Sequence, residues 1–118
     1  MPSTGLRGPY KLDNETIDKE VTKESAGAYA LGYLDKEDAF IPKYVGRSDS
    51  DINGRLKKWV GKYSYFKFEY YSSPKAAFEK ECNLYHDWKA QLDNDCHPDR
   101  PDNTNWQCPR CDIFKESD

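Results

Sequence analysis

The sequence has no apolar run approaching the ~18 residues of a membrane-crossing helix, and no apolar secretory core near its N-terminus. It contains no internal repeat, and apolar types make up only 36% against 33% charged, wetter than a usual globular domain. These shortages exclude a membrane span and a collagen-like chain, and they make an exported precursor unexpected. The expected location is cytoplasmic. The scarcity of aliphatic residues is offset by aromatics: nine Tyr, five Phe and three Trp, 14% of 118 residues, are enough for one domain core.

The chain also lacks a strong net charge, with 18 Lys+Arg against 21 Asp+Glu, or −3. That average argues against a polyanion-binding protein. Its distribution does not. Residues 1–40 sum to −3, residues 41–80 to +5 and residues 81–118 to −5. The basic middle third interleaves Lys57, Lys58, Lys62 and Lys67 with Tyr44, Trp59, Tyr63 and Phe66, a composition suited to phosphate tracking and base stacking. The same lysines would equally decorate a solvated face.

Residues 1–24 have few large apolar side chains and predict a flexible or loosely docked arm. A strand over 26–34, a polar turn at 35–38 and a second strand over 40–46 form a hairpin. Capping residues at 48–53 precede Ile52, Leu56, Trp59 and Val60 at helical spacing, with Gly61 as the stop. A third strand covers 65–71. Ser73-Pro74 then opens a long helix reaching about residue 91. The expected fold is α+β: a small three-stranded antiparallel sheet in the order β-β-α-β-α, flanked by helices, over 25–94. An irregular tail over 95–118 follows.

Gly27-Ala28-Tyr29 falls on the first of these strands, and Tyr44-Val45-Gly46-Arg47 ends the second. Arg55 follows on the first helix, and Glu81 lies on the last. Taken singly, these are ordinary sheet aromatics and helix-surface charges. In this order they resemble the GIY-YIG nuclease superfamily over roughly residues 26–94. The resemblance implies a divalent-metal-dependent endonuclease, a hydrolase cutting phosphodiester bonds in DNA during repair or recombination, with RNA also open. Glu81 would hold Mg²⁺ or Mn²⁺, and Arg55 the scissile phosphate. Tyr44 would act as general base or water-orienting group, with Tyr29 as its partner. Arg47 occupies an often basic position, and Asn94 one that often supplies an amide to the phosphate. Arg47, Arg55, Lys57, Lys58 and Lys62 would contact the nucleic acid.

The chemistry of such a site fits these residue types. One carboxylate holds Mg²⁺ while water and phosphate complete its octahedron, and a guanidinium grips two phosphate oxygens without losing charge. The sequence departs from the family four residues after Arg55, where His or Tyr is usual and Trp59 stands. An indole cannot accept a proton, and Tyr63 is the nearest substitute. Two other readings therefore stay open: a nucleic-acid-binding module with impaired catalysis, and a zinc-stapled protein-interaction domain. Specificity in so small a domain would come from a protein partner or a homo-oligomer.

Four cysteines fall late in the chain, and Cys108-Pro109-Arg110-Cys111 is a CxxC knuckle in a Pro-rich segment. It lacks the strand-to-helix setting of a thioredoxin-like redox pair, and no spacing fits a classical zinc finger. Cys82 and His86, spaced i, i+4 on the last helix, would complete a structural Zn²⁺ site with Cys108 and Cys111. His97 is a competing nitrogen ligand, and Cys96 the least favoured thiol. Such an ion would pin an otherwise coreless tail onto the helix carrying Glu81.

Overall fold

The computed structural model describes residues 4–94, 97–101 and 104–114; Cys96 lies outside them. Seven elements follow in order: β1 (Arg7–Lys11), α1 (Asn14–Glu20), β2 (Gly27–Leu34), β3 (Phe40–Ser48), α2 (Ile52–Lys57), β4 (Tyr65–Tyr70) and α3 (Pro74–Trp88). The sheet has four antiparallel strands in the order β1-β4-β2-β3. The class is α+β, as expected, but the three-stranded sheet is corrected to four.

The extra strand comes from the segment read as a loose arm. β1 pairs with β4, and Asp13 caps α1 by accepting from the Thr16 N–H at 2.7 Å. Leu12, Ile17 and Val21 are then buried in the main core. Three well-spaced aliphatics suffice because each lands on the Phe66–Phe68 face of the sheet, so sparse composition concealed an integral part of the domain.

β2 is central and sealed on both faces, which is why it reads as a continuous apolar run rather than an alternating one. Tyr29 and Leu31 face Ile52 and Leu56 of α2, while the small Ala28 and Ala30 face Leu84 and Tyr85 of α3. Alanine there lets the long helix approach the sheet closely. Asp51 and Ser73 cap α2 and α3 through Gly54 N and Ala76 N, as the sequence predicted. Both helices end sooner than expected. After Lys57 the backbone tightens, with the Trp59 N–H donating to Leu56 O, and Gly61 takes φ +89° to turn the chain back. Among the described residues, no helix is long and apolar enough to cross a membrane.

Candidate functional site

Strand alternation puts Tyr44 and Gly46 on the α2 face of edge strand β3, and Val45 and Arg47 on the α3 face. A cleft of about 260 Å³ straddles this edge, lined by Tyr29, Tyr44, Arg47, Arg55, Trp59 and Glu81 with Gly46 and two aspartates. Gly46 is required here: a Cβ would meet the Tyr29 ring and hydroxyl at 2.5 Å. The bare backbone at Gly46 therefore joins side chains from opposite faces into one concavity.

Five of the expected catalytic residues thus meet, from β2, β3, α2 and α3. Glu81 is buried, and its Oε1 accepts from Arg47 Nη1 at 2.7 Å. Arg47 also reaches Asp49 at 3.0 Å and lies over the Phe78 ring at 5.1 Å. Burial pushes the Glu81 carboxyl up to about 7, because desolvation outweighs the charge and hydrogen bond that Arg47 returns. Burial depresses the Arg47 guanidinium too, but Glu81 and Asp49 outweigh it and the net shift is upward.

The phenols are set differently from one another. Burial raises Tyr29 far above an ordinary phenol, and its oxygen accepts from the Trp59 indole N–H at 3.0 Å. Tyr44 is half-buried and raised by desolvation and then by Glu81, with Arg55 opposing. A phenolate at Tyr44 thus needs a cation beyond the residues lining the cleft. Trp59, displaced from the end of α2, stacks on Tyr44 at 4.4 Å and orients Tyr29. Trp59 thus brings an N–H donor to this place, with Tyr63 packed beside both rings and donating to Asp93 at 2.9 Å.

The remaining expected residues lie beside the cleft or away from it. Asn94 gives both amide atoms to Val45, accepting from its N–H and donating to its carbonyl at 3.0 and 2.9 Å. Those two bonds dock it on the free edge of β3, where it lines a cavity adjoining the cleft with Tyr44 and Glu81. Lys57 is paired with Asp18 at 2.6 Å. Lys58 borders an adjoining groove with Arg55, while Lys62 lines a separate one with Lys11. Sequence reasoning missed Asp49 and Asp99, which also line the cleft. Asp49 was traceable as an acid two residues beyond Arg47. Asp99 had no such signal.

A second cluster lies beneath the tail, where His86, His97, Cys108 and Cys111 bring one ligand atom each within 4.8 Å of one another. His86 and His97 Nε2 are 3.3 Å apart, and each is 3.4 Å from a thiol sulfur, Cys108 and Cys111 respectively. A tetrahedral zinc with Zn–N of about 2.0 Å and Zn–S of about 2.3 Å demands ligand separations of about 3.3–3.8 Å, so the donor set fits. His97 Nδ1 contacts Pro98 O at 2.7 Å, leaving Nε2 for a metal, and the Arg110 N–H donates to Cys108 Sγ. Arg110 also ties the knuckle to Asp87 of α3 at 2.7 Å.

The expected pairing of Cys82 with His86 is corrected. Cys82 does share a helix face, but with Phe78, and both are fully buried under Cys108 and Trp106. Burial and the neighbouring Cys108 push its thiol far above normal, and the four ligand atoms that converge are those of His86, His97, Cys108 and Cys111. Helical spacing could rank two candidates on α3 but could not reveal where the tail would return.

Compared with known proteins, the chain matches no family model, no curated protein and no solved structure.

Proposed function

We propose that the cleft is a divalent-metal-dependent phosphodiesterase site acting on nucleic acid, in the manner of the GIY-YIG nucleases that the sequence resembles. The observation that carries this reading is the convergence of Tyr29, Tyr44, Arg47, Arg55 and Glu81, spread over four elements, into one polar cleft. Glu81 would hold Mg²⁺ or Mn²⁺ once deprotonated, and Arg55 would receive the scissile phosphate. The cation would polarise a water for attack and neutralise developing charge. Tyr44, at the mouth, would orient that water, with Tyr29 and Trp59 holding its surroundings rigid. The tail cluster would hold a structural Zn²⁺, and its thiolates suit a reducing compartment such as the cytoplasm.

The test is a cleavage screen over duplex, flap and branched DNA and over RNA, with Mg²⁺ and Mn²⁺. Glu81→Ala and Arg55→Ala are each expected to lower the rate by at least about 100-fold, the scale of losing a transition-state charge contact. Scission by no substrate, or scission indifferent to Glu81→Ala, overturns the reading. The Arg47–Glu81 pair favours one competitor, a binding module whose carboxylate is already engaged. That module would bind in a salt-dependent way and cut nothing.

A further inference from the structure

We propose that the metal cluster under the tail builds one wall of the cleft, so that its occupancy decides whether the cleft can retain nucleic acid. This rests on the reading of the cleft as a nucleic-acid site. His97 belongs to both places. Its Nε2 lies in the four-ligand cluster, and the residue lines a cavity of about 390 Å³ with Tyr44, Glu81, Asn94, Pro98 and Asp99. That cavity shares Tyr44, Glu81 and Asp99 with the cleft, so the two form one depression with the tail along its side.

The wall has no regular structure of its own. Residues 97–101 and 104–114 contain no helix or strand. Asn94 anchors the chain just before the wall through its two bonds to Val45. Apart from His97 Nε2 in the cluster, the polar contacts of 97–99 among the described residues are local: His97 Nδ1 to Pro98 O, and Asp99 Oδ1 accepting from Arg100 N. Arg100 in turn reaches Trp106 O at 2.7 Å and lies over Phe114 at 4.8 Å, both tail residues. Two fastenings tie the wall to α3. One is His97, through edge contacts with Tyr85 and His86 and the ion it would share with His86. The other is Arg100, through Trp106 and Phe114 that pack on Phe78. Ring edges contribute little individually, whereas coordination joins α3, the wall and the knuckle at one point. The same helix presents Glu81 to the cleft and His86 to the cluster, five residues apart.

The experiment uses the full chain in three states: as purified without added metal, after a zinc-selective chelator, and after chelation and return of Zn²⁺. Cys111→Ser is carried alongside. The purified chain is expected to hold about one zinc, as a closed four-ligand site retains its ion. Chelation is expected to speed hydrogen exchange at 97–101 and 108–111 by at least about 100-fold, leaving β2 and β4 protected, because these segments have no helix or strand ladder and rest on only a small cluster around Phe78. Affinity for a short DNA duplex, measured without divalent cations so that nothing is cut, is expected to fall at least about tenfold with the wall loose. Zn²⁺ should restore both in the native chain and neither in Cys111→Ser.

A zinc-free purified chain whose tail is already protected overturns the proposal. So does a tail that loosens while DNA affinity holds. If no state binds DNA, the nuclease reading falls, and exchange at 97–101 alone then decides whether the cluster holds the wall. Protected sheet amides separate tail release from unfolding in every arm.

Discussion

The two sides of the cleft are built by different physics. On one side Tyr29, Tyr44, Arg55 and Glu81 ride on strands and helices whose own side chains fill a core: Leu31, Phe66, Ile52 and Leu56 on one face, Ala30, Val45 and Leu84 on the other. On the other side, Pro98 and Asp99 stand on a segment with no regular structure, beside His97 and the cluster where we propose a metal. Burial positions a residue through many weak contacts that fail together, whereas coordination does so through a few strong ones that fail singly. Glu81 belongs to the first regime and faces the second. Its neighbour Cys82 marks the border, buried against the underside of the knuckle without joining the ligands.

The largest expected effect breaks the core side. Ile17→Ala removes a fully buried side chain from α1, and should cost about 2–5 kcal/mol in chemical denaturation. A loss under about 0.5 kcal/mol, the range of ordinary surface substitutions, would mean that α1 is dispensable and that the domain begins near β2. Retained zinc at temperatures below the unfolding midpoint would show that this damage does not travel through the tail.

The next effect concerns the carboxylate between the two regimes. Glu81 sits at about 7 instead of its ordinary 4.5, so folding favours its protonated form. In the absence of a divalent cation its contribution to stability is present below the ordinary value and lost as pH rises through about 7. A divalent cation competes with that proton. Mn²⁺ affinity at the cleft should therefore rise about tenfold per pH unit up to about 7 and level off above it. Titration calorimetry in a zinc-loaded chain checks this, and a flat profile from pH ~5 to 8 would remove Glu81 as the ligand.

The smallest effect sharpens the packing of the phenols. Trp59→Phe keeps a ring against Tyr44 and deletes the N–H to Tyr29, for an expected loss of about 1 kcal/mol. If the pairing orients the site, turnover should fall by more than this stability loss while zinc content stays constant. Equal wild-type turnover would make Trp59 a packing residue only.

Much of this was legible locally. The β2–β3 hairpin, a cap within 48–53 and the cap at Ser73 depend on neighbours in sequence, and they appeared where turn and capping chemistry puts them. Gly61 turns the chain after a helix that had already ended at Lys57. Tyr29, Tyr44, Arg47, Arg55 and Glu81 were singled out from motif order and do share a cleft. What escaped was non-local. Leu12, Ile17 and Val21 look too sparse to matter until a sheet face lies beneath them. Nothing local to Asn94 announced the open edge of β3 on which its amide docks.

By itself, then, the sequence determined the residue types for two candidate sites, a carboxylate with two guanidiniums and a pool of late cysteines and histidines. It also determined the strands and helices that display most of them, because periodicity and caps act over a few residues. Only the tertiary structure decided that Trp59 orients Tyr29, that His97 displaces Cys82, and that Asp99 reaches the same cleft as Glu81. Each of those depends on a chain return across many residues, and no local preference encodes where a structureless tail comes to rest.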